Sequence, residues 1–218
     1  MLQKQTVAPA TFELLKRLQA EPLLADMRLV GGTSLSLQLA HRTSVDLDLF
    51  TEKKFARQEL LDLLDAKYRF VPRYTNQYTI LGFIDDVKID IIHHPYQWLS
   101  DPIVEDSLRL SALDDIAAMK IHAIVNSGER PKDFYDIAFL SMHYSYNRMK
   151  ELALQKYSAY DPIMIDKSVV YFGDVNEDAI NDIASCGYEV DWQLITSRIM
   201  NMTDSPDKVF KTAPLRRK

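Results

Sequence analysis

The hexapeptide VDLDLF, residues 45–50, alternates without a break, and no other segment limits so tightly what the chain can fold into. Successive side chains on a strand point to opposite faces, so Val45, Leu47 and Leu49 share one face and Asp46, Asp48 and Phe50 the other. Such a strand belongs in a sheet that buries one face in a core, while two carboxylates project together from the opposite face. Alpha-carbons two residues apart on one face are roughly 6–7 Å apart, near enough for the two charges to repel unless a cation stands between them. Alone, an Asp-X-Asp pair is more often a solvated sheet face or a turn, so its neighbours decide the matter.

Upstream, Met27 to Val30 reads as a short strand running into Gly31-Gly32-Thr33, and SLSLQLAH after it reads as a short helix. A glycine pair between strand and helix lets backbone N–H groups approach an anion closely, and the helix N-terminus adds favourable partial charge. Twelve residues, Ser34 to Val45, separate the Gly-Gly-Thr from Asp46, enough for a helix that returns the chain to an adjacent strand. Cradle and carboxylates would then meet at one end of the sheet. Downstream, YTILGFI and VKIDII read as an antiparallel hairpin across Asp85-Asp86, although the favoured Asp-Gly or Asn-Gly is missing. Asp90 falls inside the second strand and supplies a third carboxylate. Magnesium takes hard oxygen ligands and completes its shell with water and phosphate oxygens. Three carboxylates on one sheet would allow two such ions.

The period changes in the second half. Residues 11–20 already show helical spacing through Phe12, Leu15 and Leu18, and from Ser111 the pattern is helical throughout, opened by a capping-box-like Ser111 and Asp114. It breaks near Ser127-Gly128, and Pro131 starts another helix. Leu113, Ile116, Ala117 and Ile124 form an apolar stripe with Lys120 inside it. Asp133 and Asp136 lie on the face that continues to Ile137 and Leu140, so both look inward. Two readings stay open for Lys120: a structural ion pair with Asp133 or Asp136, or a contact to a nucleotide phosphate. Arg130 and Lys132 flank Pro131 and are further phosphate candidates. Trp192, Leu194 and Ile195 are expected to pack in later helices. The expected class is α+β: a mixed sheet domain flanked by helices over residues 1–110, and a mainly helical region over 111–218.

Little else carries chemistry. His93 and His94 are adjacent on a strand, point to opposite faces and do not readily share a metal. His122 and Tyr135 read as packing residues, and Cys186, the only cysteine, as an inert thiol. No Ser/His/Asp order, phosphate-binding Walker loop or zinc spacing occurs. At 218 residues, 47% hydrophobic, the chain can bury a substantial core, and no apolar run is long enough to span a bilayer. One cysteine and a polar N-terminal stretch lead us to expect a cytoplasmic protein without a membrane partner. The net charge of -5 argues against indiscriminate coating of nucleic acid, while leaving local basic patches such as Arg216-Arg217-Lys218.

LVGGTSLSLQLAHRTSVDLDLF, VKIDII and KIHAIVNSGERPKDFYDI, in this order and spacing over roughly residues 25–140, resemble the successive motifs of the AbiEii/AbiGii-type nucleotidyltransferase toxins of the DNA polymerase β-like superfamily. VVYFGDV and DWQLI extend the resemblance more weakly into the family's helical region. The resemblance implies a nucleotidyltransferase sheet core and a helical region that completes the active site. Gly31, Gly32 and Thr33 would cradle triphosphate, with threonine where the family has serine. Asp46 and Asp48 would bind magnesium, Asp90 would stand at the third carboxylate position, and Lys120 and Asp133 would be the remaining polar site residues, with Asp136 close by. The implied reaction transfers a nucleoside monophosphate from a nucleoside triphosphate to an acceptor hydroxyl with one or two magnesium ions. Such a toxin would have a cognate antitoxin, or serve in phage defence, and would act on transfer RNA or another RNA. The alternatives are a small-molecule nucleotidyltransferase of the aminoglycoside-modifying kind, and a non-catalytic nucleotide-sensing or protein-binding module.

Overall fold

In the computed structural model, which describes residues 1–218, the alternation at 45–50 becomes strand β2, Leu47–Thr51. Leu47 and Leu49 are sealed from solvent, as the pattern requires, but Val45 is 63% exposed and precedes the strand together with Asp46. Pairing accounts for the late start. The partner strand meets β2 from Leu47 onward, whereas Ser44 and Asp46 are held by the Thr6 carbonyl and the Thr33 hydroxyl.

Two compact units make up the chain, Met1–Ala40 with Ser44–Ala112, and His41–Thr43 with Leu113–Lys218. The first contains α1 (Pro9–Gln19), β1 (Arg28–Leu29), α2 (Gly31–Leu39), β2, α3 (Arg57–Tyr68), β3 (Val71–Asn76), β4 (Thr79–Ile84), β5 (Val87–His93), β6 (Ile103–Glu105) and β7 (Leu108–Leu110). The seven strands form one sheet in the order β3-β4-β5-β2-β1-β7-β6. It is mixed: β2 with β5 and β1 with β7 run parallel, the other pairs antiparallel. The hairpin between β4 and β5 turns on Asp85 and Asp86, both at positive φ (45° and 65°), which aspartate tolerates better than most side chains.

One sheet face is the core of this unit. Leu47, Leu49, Ile80, Ile84, Ile89 and Ile91 pack with Leu15 and Leu18 of α1 and with Leu60 and Leu64 of α3. Each such side chain, fully buried, is worth about 1.5–3 kcal/mol of transfer free energy. Because the strand period is two, burying this set turns Asp48, Lys88, Asp90, Leu81 and Phe83 to the other face, where all are only partly buried.

The second unit is helical: α4 (Leu113–Asn126), α5 (Pro131–Leu140), α6 (Tyr146–Lys156), α7 (Pro162–Val169) and α8 (Trp192–Asp204). The break between α4 and α5 lies at the expected place, with Gly128 at φ +66° and Pro131 at the first turn of α5. The expected capping box does not form. Ser111 extends the sheet instead: its N–H donates to the Leu29 carbonyl, its carbonyl accepts from Gln38, and its buried hydroxyl has no hydrogen-bond partner. Asp161 and Asp191 cap α7 and α8 by accepting from backbone N–H groups. Phe134, Phe172 and Trp192 meet edge to face, and Ile195 is fully buried, so the aromatic and aliphatic packing falls where the sequence indicates. No helix is long and apolar enough to cross a membrane.

Candidate active site

The turn from β1 into α2 is tied directly to the acidic strand. The Val30 N–H donates to the Asp48 carbonyl at 2.9 Å, and the next residue, Gly31, takes φ +66°. A Cβ on Gly31 would run into the Asp48 carboxylate. The glycine is required twice over, for its backbone angle and for the approach of the carboxylate. Thr33 is fully buried. Its hydroxyl donates to the Asp46 carbonyl and accepts from the Ser44 hydroxyl at 2.8 Å, so its side chain clamps the Asp46 loop against α2.

Asp48 and Asp90 are register partners across the parallel β2–β5 pair, which brings two carboxylates of one sheet face side by side. Asp46 lies one residue before the paired strand, and its charge acts on Lys88. Lys88 and Asp90, two apart on β5, share this face, and the Lys88 ammonium donates to Asp90 Oδ2 at 2.5 Å. Burial pulls the Lys88 pKa down, but the Asp90 hydrogen bond and the charges of Asp90, Asp48 and Asp46 outweigh it and hold the pKa above its ordinary value. Asp90 Oδ1 is buried with no hydrogen-bond partner. A carboxylate oxygen left so costs free energy until a donor or cation reaches it.

A second polar cluster lies within the helical unit. The Lys120 ammonium is 2.6 Å from Asp133 Oδ1 and 2.6 Å from Asp136 Oδ2, so the ion pair open in the sequence forms with both carboxylates. Asp136 is fully buried and also accepts from Arg42 Nε at 2.7 Å, Arg42 Nη2 at 3.0 Å and His41 Nε2 at 2.8 Å. Burial alone would raise its pKa; the Arg42 and Lys120 charges, with the His41 and Arg42 hydrogen bonds, hold it well below the usual carboxylate range. His41 faces an ionised carboxylate through Nε2, so Nε2 carries the proton and the buried Nδ1, which has no partner, is the bare nitrogen. Arg130 is mostly solvent-exposed, with Nε 3.6 Å from Asp133 Oδ2.

Asp46, Asp48, Asp90 and the Gly31-Gly32 turn therefore belong to the sheet unit, and Lys120, Asp133, Asp136 and Arg130 to the helical unit. Sequence reasoning passed over His41, Arg42 and Lys88. Two basic residues directly after an apolar helix gave a weak signal for the first pair, but their partner is more than ninety residues away. Lys88 was detectable only through its shared face with Asp90. Tyr135 is a packing residue, stacked on Phe139 and bonded to the His41 carbonyl, and His122 stacks on Tyr157. Cys186 is half-buried, and burial raises its thiol pKa, which keeps it a poor nucleophile.

Would the sheet residues suit a divalent ion? The donor set is hard oxygen, Asp48 and Asp90 are adjacent, and the orphaned Asp90 Oδ1 is the kind of atom a cation satisfies. No three carboxylate, imidazole or thiol side chains are already grouped as a metal cage. The fit is that of an open site on one or two protein carboxylates, completed by water and phosphate.

Comparison with known proteins places these features. The family model described as nucleotidyl transferase AbiEii toxin, type IV TA system, matches residues 13–213. The uncharacterized protein aq_aa25 of Aquifex aeolicus is 32% identical over 185 residues, covering 82% of this chain and 89% of that protein. Among solved structures, an H. pylori protein assigned as a nucleotidyltransferase superposes with a TM-score of 0.56 at 20% identity, covering 92% of this chain and 96% of its own. JHP933 of Helicobacter pylori gives a TM-score of 0.46 at 17% identity, covering 94% of this chain and 97% of its own. With the α+β sheet core and a family match over most of its length, the chain belongs to the nucleotidyl transferase AbiEii toxin family of type IV toxin–antitoxin systems and is a nucleotidyltransferase.

Proposed function

We propose that this nucleotidyltransferase moves a nucleoside monophosphate from a nucleoside triphosphate to an acceptor hydroxyl on RNA, with pyrophosphate as the leaving group and magnesium as cofactor. The observation that carries this reading is the meeting of the Gly31 turn with the Asp48 carboxylate, beside the register-matched Asp90. Backbone N–H groups at the start of α2, including Gly31 and Gly32, receive the β- and γ-phosphates. Thr33 keeps the Asp46 loop against that helix through its hydroxyl. Asp46 and Asp48 hold the metal and Asp90 joins them or orients the acceptor hydroxyl; when bound, divalent ions neutralise phosphate charge and favour in-line displacement. Lys120, Asp133 and Arg130 are the polar residues of the helical unit that the same reading assigns to the nucleotide. Asp136 is a positioning residue, acting through its contacts to Lys120, Arg42 and His41.

An RNA acceptor, transfer RNA in particular, rests on the resemblance of this family to enzymes that extend transfer-RNA ends. Membership of a type IV toxin–antitoxin family supports action in the cytoplasm under a cognate antitoxin. Incubating the purified chain with each α-labelled triphosphate, magnesium and total RNA is expected to label RNA, transfer RNA foremost, and Asp48→Asn is expected to abolish the labelling. Label on an added small-molecule acceptor and none on RNA overturns the RNA reading. No transfer to either, with nucleotide still bound, leaves a sensing module.

A further inference from the structure

Lys88 is an ion-pair partner of one carboxylate of the sheet, Asp90, and lies two residues from it on the same strand. Its ammonium sits 2.5 Å from Asp90 Oδ2 and is half-exposed, so it is not locked in by packing. The charges of Asp48 and Asp46 act on it as well as that of Asp90. Asp48 and Asp90, register partners on one face, repel, and a folded protein without a bound metal needs something to offset that repulsion. Asp90 meanwhile keeps Oδ1 buried and unpartnered, so the lysine satisfies only half of it. An ammonium on Oδ2 competes, by its charge, with any incoming divalent ion for the same carboxylate.

We infer that Lys88 is a built-in counter-cation: it stabilises the metal-free carboxylate face through Asp90 and, by competing for Asp90, sets the affinity of that face for the divalent ion. The inference rests on the proposed metal role of Asp46, Asp48 and Asp90. Lys88 is thus a positioning residue, and its substitution changes metal binding in a direction opposite to that of losing a ligand. A merely structural lysine would lower stability with and without metal alike.

Titration of the full chain with Mn2+ alone, followed calorimetrically, separates these cases, with thermal unfolding recorded with and without the ion. Lys88→Met is expected to bind Mn2+ on the order of tenfold more tightly than the natural chain, the effect of removing one charge from a partly screened site. It should also unfold at lower temperature without metal and recover the difference when Mn2+ is added. Lys88→Arg, which keeps the charge, is expected to bind like the natural chain, and Asp48→Asn to bind far more weakly. Should Lys88→Met not fold, Lys88→Gln carries the same expectation. Unchanged or weaker binding in Lys88→Met, with binding still lost in Asp48→Asn, overturns the role of Lys88 alone. Tighter binding in Lys88→Arg also overturns it, since charge would then not be the cause. Binding that survives intact in Asp48→Asn sinks the carboxylate reading itself and Lys88 with it.

Discussion

At the scale of single residues, the site turns on atoms that are missing as much as on those present. Gly31 has φ +66° and no room for a Cβ against Asp48. Gly31→Ala is therefore expected to cost about 1–3 kcal/mol in backbone strain and, by displacing the carboxylate, to lower nucleotide transfer about 100-fold. Gly187, at φ +75° with nothing within 4 Å of a built Cβ, is the control: Gly187→Ala carries the strain without loss of transfer. Urea unfolding and labelled-nucleotide incorporation on both variants check this; equal loss of transfer in the two would refute a specific Gly31–Asp48 approach. The glycine pair was legible in the sequence because only a few backbone situations call for it. Lys88 was not, since alternation fixes which residues share its face but not whether that face meets solvent or an acid.

At the scale of elements, the helical unit is pinned by a carboxylate with three basic partners. Asp136 on α5 holds His41 and Arg42 of the segment between α2 and β2, and Lys120 of α4, whereas Asp133 holds Lys120 at 2.6 Å and Arg130 only at 3.6 Å. Breaking a buried pair by removing one partner leaves uncompensated charge and costs about 3–5 kcal/mol. Asp136→Asn should reach that range, while Asp133→Asn should cost clearly less, because Lys120 keeps Asp136. Urea midpoints and slopes for both variants test the order, and a reversed order removes Asp136 from the centre of the cluster. Local signals marked some elements well. The Ser127-Gly128 break, Pro131 and the Asp85-Asp86 hairpin are dictated by backbone preferences a few residues long. The start of β2 and the edge strand β3 are not, because the first follows from pairing with β5 and the second, mostly exposed along its length, buries no face that could impose alternation. Segment 41–43 joins the helical unit for an equally distant reason, its bonds to Asp136.

At the scale of the whole molecule, the buried charges determine how stability depends on pH. Burial is the largest influence on His41 and lowers its pKa below the ordinary 6.5; Asp136 opposes this, and the Arg42 and Lys120 charges add to it. Burial also lowers His122 and His143. For a group depressed in the folded state, the unfolded chain binds the proton first. Stability is then complete above about pH 6.5 and declines as pH falls toward the folded value. Each proton taken up in excess by the unfolded state contributes a slope of about 1.4 kcal/mol per pH unit. Asp136 follows the same sign in a lower window: its stabilisation is present above the ordinary 3.8 and is lost only in stronger acid. At the alkaline end the sign reverses. Burial and Glu21 push the Tyr68 phenol up to about 12, so the unfolded chain loses that proton first and stability falls above the ordinary 10. A plateau between about pH 7 and 9 is expected, with a first acid decline belonging to the histidines of the helical unit. Trp98 belongs to the sheet unit and Trp192 packs on Phe134 and Phe172 in the helical one. Urea unfolding of Trp98→Phe, followed by Trp192 fluorescence between pH 8 and pH 4.5, therefore reads the relevant unit. Adding His41→Gln, which keeps a donor toward Asp136 but cannot take up a proton, should flatten the decline between pH 6.5 and 5 while leaving the steeper loss below 4 in place. An undiminished decline would assign it to His122 and His143 and show that His41 takes up no extra proton on unfolding over that range.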